Sequence, residues 1–164
     1  MKIKTFFKLI IAIIVCQLAG IIGSFFTVSA IPGWYNGITK SALNPPAWVF
    51  GPAWITLYFL MGISAFLIWL SYGKEIEEAK KKIIKKALTI FIFQLILNAT
   101  WSIIFFGLQN PFLALMEIIL LWLAILWIII YFYKISRLAG LLLLPYILWV
   151  SFAIYLNYSI WVLN

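Results

Sequence analysis

Glu117 is the one acidic side chain inside an otherwise uncharged run from Phe112 to Tyr133. An acid surrounded by hydrocarbon is costly unless paired or protonated, and such residues often mark ligand, ion or proton pathways. It lies about a turn and a half inside that run, which leaves two readings: a functional buried acid, or a carboxylate that snorkels to the interface. Gln94, Asn98 and Asn157 add hydrogen-bonding groups deep in apolar runs. Such groups tie helices together or contact a ligand. Gln94 and Asn98 are four apart and Trp101 follows three later, so a helix sets all three on one face. The chain has no His and a single Cys, Cys16. This excludes imidazole general-base chemistry, His-ligated metal or haem, and an intrachain disulfide, and no metal site is expected. There is no nucleophile–base pair either, so ordinary polar catalysis is disfavoured and binding is the chemistry these residues suit.

The elements that position these residues follow from composition. The chain is 66% hydrophobic and 10% charged, and its mean hydropathy is +1.14. A soluble domain is about half apolar and a quarter charged, so the solvent here must be lipid. Uncharged stretches run from Leu9 to Val28, Pro46 to Tyr72, Ala87 to Phe106, Phe112 to Tyr133 (Glu117 apart) and Leu138 to Leu163. Each meets the roughly 20 residues needed to span a hydrocarbon core. The expected fold is an all-α membrane protein, a five-transmembrane-helix bundle forming one domain over residues 1–164. Pro46 is expected to start the second helix, Pro52 and Pro145 to kink theirs, and Gly107 with Asn110-Pro111 to turn the chain between the third and fourth.

Charge placement checks the helix count. Lys2, Lys4 and Lys8 precede the first helix, six lysines from Lys74 to Lys86 lie between the second and third, and Lys134 and Arg137 lie between the fourth and fifth. With five crossings these share one face, and Lys40 stands alone on the other. The positive-inside rule then puts the N-terminus in the cytoplasm and the C-terminus outside. The lysine cluster reads as a topogenic, solvated loop with Glu77–Lys81 and Glu78–Lys82 at i,i+4 spacing, not as a nucleic-acid site. The partner this charge pattern names is the lipid bilayer, and the charge asymmetry with a lysine-rich, His-free composition is compatible with a prokaryotic cytoplasmic (inner) membrane.

Val28-Ser29-Ala30 has the look of a signal-peptidase site, but the apolar stretch before it is longer than a usual signal core, and the first helix is expected to be retained. Ala12, Cys16, Gly20 and Ser24 recur every four residues as a small-residue stripe for close helix packing, expected within the bundle. Residues 29–45 join the first two helices and carry Pro32, Gly33, Trp34, Tyr35 and Asn44-Pro45. The segment is too aromatic for a plain linker; it suits a partly ordered lid over the outer mouth or a stretch lying on the membrane surface. Some of the nine Trp, eight Tyr and fourteen Phe will be interfacial anchors.

An ordered set of residues then carries a family resemblance. Trp34-Tyr35, Lys40, Pro45-Pro46, Trp54, Leu57-Tyr58 and Met61-Gly62 come first. Gln94-Leu95, Asn98, Trp101 and Phe105-Phe106-Gly107 follow, then Pro145-Tyr146, Trp149, Phe152-Ala153 and Leu156-Asn157. Nearly the whole chain from Trp34 onward resembles the tryptophan-rich sensory protein family, also called the translocator protein or peripheral benzodiazepine receptor family. The resemblance implies a five-helix bundle, often a homodimer, with a pocket near the outer end closed by the loop after the first helix. It implies ligands such as porphyrins and haem, isoquinoline carboxamides and benzodiazepines, and no required cofactor. By position, Trp54, Asn98, Trp149, Ala153 and Leu156 match family pocket residues. Glu117 matches an acidic position in the fourth helix, and Trp34, Tyr35, Pro45 and Pro46 match the loop and the start of the second helix. Trp101 shares the Asn98 face, and Lys40 on the lid side suits a propionate.

Three departures bear on function. Ser41 follows Lys40 where the family usually has Pro, and Leu113 stands where animal members often have an aromatic. No Lys or Arg follows Tyr158, so the basic residue of the proposed sterol pattern is missing. The implied function is a membrane binding and sensory protein for porphyrins and similar flat hydrophobic ligands. The alternatives are a transporter of such molecules and a porphyrin-degrading protein using redox or photochemistry at Trp54 or Trp149. An internal repeat, common in transporters, is not evident.

Overall fold

A computed structural model describes residues 3–164, so Lys2 lies outside the described residues. Helix α1 (Ile3–Ala30) runs on into a π-type turn, Ile31–Tyr35; α2 is Ala47–Lys74; α3 (Glu78–Ser102) runs on into a second π-type turn, Ile103–Gly107. Then come α4 (Pro111–Ile135), the short α5 (Arg137–Leu141) and α6 (Leu144–Leu163). Five stretches are long and apolar enough to cross a bilayer: Ile3–Tyr35, Ala47–Lys74, Glu78–Gly107, Pro111–Ile135 and Arg137–Leu163. The shortest has 25 residues, about 37 Å of helix at 1.5 Å per residue, longer than the ~30 Å hydrocarbon core. Helices are the form such sequences must take, because hydrocarbon offers no partner to an unpaired backbone amide. The protein is a multi-pass integral membrane protein.

The spans close into a ring. α1 packs on α2 and α3, α3 on α4, α4 on α5 and α6, and α2 meets α5 and α6. Packing is tightest where side chains are smallest. At Gly62 on α2 a Cβ would come within 2.7 Å of the Ile13 backbone on α1, so the two helices cross at contact distance. Cys16, Met61, Ile68, Ala114, Phe132 and Val150 are fully buried inside the ring. Ile14, Leu18, Ile22 and Phe25 on α1, and Leu120, Leu123 and Trp127 on α4, face outward into lipid.

The helix ends differ from the sequence reading in four places. The connection between α1 and α2 is shorter than residues 29–45, because α1 and its π-type turn carry helical structure through Tyr35. Pro46 is the residue before α2, whose first helical residue is Ala47. Pro52 does lie inside α2, but Pro145 breaks the last span rather than bending it. It sits in the first turn of α6, after a turn at Leu142–Leu143, where its missing N–H goes unneeded. In the basic loop the ion pairs are Glu77–Lys80 at 2.9 Å and Glu78–Lys81 at 2.7 Å, one residue closer than expected. Glu77 is extended (ψ 118°), so the helical spacing begins only after it. Glu75 accepts from the backbone N–H groups of Glu77 and Ile76, which holds its carboxyl below the usual range.

Between α3 and α4 the turn comes where expected. Asn110 caps α4 by accepting from Leu113 N at 3.0 Å, Pro111 opens the helix, and Gln109 takes the left-handed conformation (φ 52°). With these connections every described basic side chain except Lys40 falls at one end of the bundle.

Candidate functional site

At the Lys40 end the helices part around a cavity of about 430 Å³. Trp54 on α2 and Trp149 on α6 both line it, as do Asn98 and Trp101 on α3 and Ala153 and Leu156 on α6. Trp54 lies stacked on Tyr58, with ring centroids 5.5 Å apart and planes 28° from parallel, and meets the edge of Tyr146 at 6.3 Å. Trp149 is held edge-on by Phe50 and Phe152, each at 6.0 Å. The two indoles are thus fixed by neighbouring rings, leaving other faces open to a guest.

The floor is polar but uncharged. Tyr58 donates to Asn98 Oδ1, and Asn98 Nδ2 donates to the Tyr146 hydroxyl at 3.0 Å. Trp101 is anchored from behind: its indole N–H donates to Asn157 Oδ1 at 3.1 Å, and Asn157 Nδ2 donates to the Pro111 carbonyl at 2.8 Å. Asn157 therefore ties three helices together at the cavity wall. No lining side chain among the described residues is charged.

The roof comes from the two π-type turns and the connection after them. Tyr35 and Asn44 line the cavity and are joined by a 3.2 Å hydrogen bond from the Tyr35 hydroxyl. Above α3, Trp101 stacks on Phe105 at 5.0 Å, and Trp34 meets Phe105 edge-on at 5.4 Å. A π-type turn carries an extra residue per turn, which shifts the side chains that follow it. Here two such turns meet through their aromatic rings.

Of the residues singled out from sequence, Tyr35, Trp54, Asn98, Trp101, Trp149, Ala153 and Leu156 come together around this cavity, while Trp34, Lys40, Pro45, Pro46 and Glu117 do not line it. Trp34 packs behind Tyr35. Pro45 and Pro46 sit between Asn44 and Ala47, which do line it. Lys40 lies over the Tyr35 ring, 4.7 Å from its centroid, and donates to the Ile38 carbonyl at 3.0 Å. Glu117 is 7% exposed and does not snorkel; neither carboxylate oxygen has a partner among the described residues.

The sequence reading missed the share of α1. Gln17, Gly20, Ser24 and Thr27 form one wall. Of the expected packing stripe, Ala12 and Cys16 are buried, whereas Gly20 and Ser24 line the cavity, and Ala19 and Gly23 complete the buried face. A Cβ at Gly20 would overlap the Tyr58 ring, so this glycine makes room for the cavity floor. The four-residue spacing was the available signal, but it does not tell a helix partner from a ligand.

The model of the TspO/MBR family matches residues 12–162. The chain belongs to that family. A "Tryptophan-rich protein TspO" of Archaeoglobus fulgidus is 43% identical over 96% of this chain and 97% of its own length. The human "Translocator protein" is 37% identical over 88% of this chain and 83% of its own. A "Tryptophan-rich sensory protein" of Cereibacter sphaeroides is 33% identical over 80% and 77%. Both π-type turns, the cavity and the Asn157 anchor fall inside the part matched to the TspO/MBR family. Membership sets the protein among membrane sensory and translocator proteins.

Proposed function

We propose that this TspO/MBR protein captures porphyrins and similar flat apolar molecules in the cavity under the 36–46 connection, and that this connection is the lid. The observation that carries the reading is the pair of ring-braced indoles, Trp54 and Trp149, facing one uncharged cavity from α2 and α6. A flat ligand hiding ~300 Å² of apolar surface there gains about 7 kcal/mol before the cost of ordering. The carboxylates of a porphyrin find no cation in the lining. They must emerge at the mouth, where Lys40 is the cation available once it leaves the Ile38 carbonyl. Isoquinoline carboxamides fit the same description. The positive-inside rule turns the mouth outward with the N-terminus in the cytoplasm, in the prokaryotic inner membrane. The homodimer implied by the sequence resemblance belongs to the same proposal.

Occupancy would be reported by lid position, which suits a sensor better than a catalyst. The test is a thermal-shift screen with protoporphyrin and an isoquinoline carboxamide on purified protein, repeated for Trp54→Ala and Trp149→Ala. Ligand at a hundred times its Kd should add about 2.7 kcal/mol of stability. No shift with either compound rejects the reading. Unchanged affinity in both variants rejects the stacking model.

A further inference from the structure

Helix α3 presents two opposite faces. Ile84, Ala87, Phe91, Leu95 and Asn98 are buried in the bundle. On the other side, at the same spacing of three and four, stand Lys82, Lys85 and Lys86, then Ile92, Phe93 and Ile96, all exposed. Thr89 lies between the two groups and turns its hydroxyl back on the helix, donating to the Lys85 carbonyl at 3.1 Å. Below the lysines the stripe therefore offers apolar surface alone. From Lys86 to Ile96 it runs about 15 Å at 1.5 Å per residue, half of a ~30 Å hydrocarbon core and so the depth of one leaflet.

The chain has four acidic residues, and none is left for these three lysines. Glu77 and Glu78 pair with Lys80 and Lys81, Glu75 accepts from backbone N–H groups, and Glu117 is buried in α4. Lys82, Lys85 and Lys86 thus have no ion-pair partner among the described residues. A second copy of the chain brings no spare acid, and a two-fold contact through this face would set like charges together. A soluble acidic protein could reach the lysines but not the apolar stripe, which lies at the depth of hydrocarbon. An anionic phospholipid meets both demands, with a phosphate at the interface and a chain beneath it.

We infer that the outward face of α3 seats an anionic phospholipid of the leaflet at the basic end. Lys82, Lys85 and Lys86 take its phosphate, and one acyl chain lies along Ile92, Phe93 and Ile96. Because the buried face of the same helix carries Asn98 and Trp101 of the cavity wall, the lipid holds from outside an element that the cavity uses from inside. The seat does not depend on what the cavity binds.

The test titrates purified protein in zwitterionic detergent with dioleoyl phosphatidylglycerol or dioleoyl phosphatidylcholine and counts bound lipid by native mass spectrometry. A lysine near an anionic headgroup is worth about fivefold in affinity, so three should favour phosphatidylglycerol by at least about tenfold. The variant carrying Lys82→Gln, Lys85→Gln and Lys86→Gln should bring that preference below about threefold. The variant carrying Lys74→Gln, Lys80→Gln and Lys81→Gln removes the same charge nearby and should keep it. Glycerophosphoglycerol, the head group without chains, should not compete. In wild-type protein, acylation by a small amine reagent should slow at Lys82, Lys85 and Lys86 with phosphatidylglycerol and not with phosphatidylcholine. That reading decides the matter if a variant fails to insert. Equal binding of the two lipids, or equal loss in both variants, overturns the inference in favour of general attraction to a basic loop. Competition by the chainless head group would make this a phosphate site, and protection that grows with protein concentration without lipid would make it a contact between copies. Either result also overturns it.

Discussion

The side chain of Asn164 grips both polar atoms of one backbone unit, accepting from Thr39 N at 2.9 Å and donating to Thr39 O at 3.0 Å. The same amide also donates to the Ile160 carbonyl at 2.8 Å, which fixes it to the end of α6. A second tie joins Ser41 Oγ to the Tyr155 hydroxyl at 3.1 Å. The 36–46 connection is therefore fastened to α6 at two points, neither of which lines the cavity.

These ties should govern ligand exchange. Solvent-reachable hydrogen bonds contribute roughly 0.5–1.5 kcal/mol each. Asn164→Ala is expected to raise the dissociation rate of protoporphyrin about three- to tenfold, and Asn164→Ala with Ser41→Ala should raise it further. Stopped-flow quenching of tryptophan fluorescence measures this. Rates equal to wild type in the double variant would show that the connection does not gate the cavity.

Gly20 should tolerate no side chain. The Tyr58 ring beside it is held by stacking on Trp54 and by its bond to Asn98, so it cannot swing away cheaply. Gly20→Ala is expected to lower the melting temperature and weaken flat-ligand binding about tenfold, in line with overpacking costs of 1–3 kcal/mol. Gly37→Ala, where a Cβ would meet nothing within 4 Å, is the matched control and should change neither. Equal behaviour of the two variants would remove Gly20 from the site.

How much of this could be read from sequence depends on the physical scale of each feature. The five spans were legible because lipid demands a long apolar run, and a run of that length is visible residue by residue. The helix ends were legible only in part: Asn110-Pro111 marked the turn before α4, but whether a proline kinks a helix or lands in its first turn, as Pro145 does, is a single event that an apolar run does not reveal. The π-type turns at Ile31–Tyr35 and Ile103–Gly107 left no trace in a 3.6-residue period. The first extends α1 into what looked like a loop. Within the site, Trp54, Asn98 and Trp149 were legible from the order of residues shared with the TspO/MBR family. Gly20 and Ser24 were not recognised, because a small residue looks the same whether it admits a helix or a ligand. Tyr146 was visible as a residue, but its bond to Asn98 requires knowing that α3 and α6 face each other.

Glu117 offers a separate test, since it is buried with both oxygens unpartnered and stands outside the cavity lining. An acid without partners in hydrocarbon weakens a fold, and an amide of the same shape removes the charge without opening a hole. Glu117→Gln is expected to leave flat-ligand affinity within about twofold and to keep or raise the melting temperature. Both are read on the same purified sample by thermal denaturation and ligand titration. A loss of stability or a roughly tenfold loss of affinity would mean that the carboxyl has a partner, such as a second protomer or a bound ion, that makes the acid necessary.

Orientation in the membrane follows from where the cations fall. Lys40 is the one described basic residue at the cavity end, while Lys80, Lys81, Lys82, Lys85 and Lys86 crowd the opposite end. Moving several basic loops across a membrane is disfavoured, so the crowded end should stay cytosolic. In intact cells a membrane-impermeant amine reagent should therefore label Lys40 and leave the lysine cluster untouched until the membrane is opened. Lys40→Arg should abolish the label in intact cells. Labelling of the cluster in intact cells would invert the arrangement and turn the cavity mouth, with its two indoles, toward the cytoplasm.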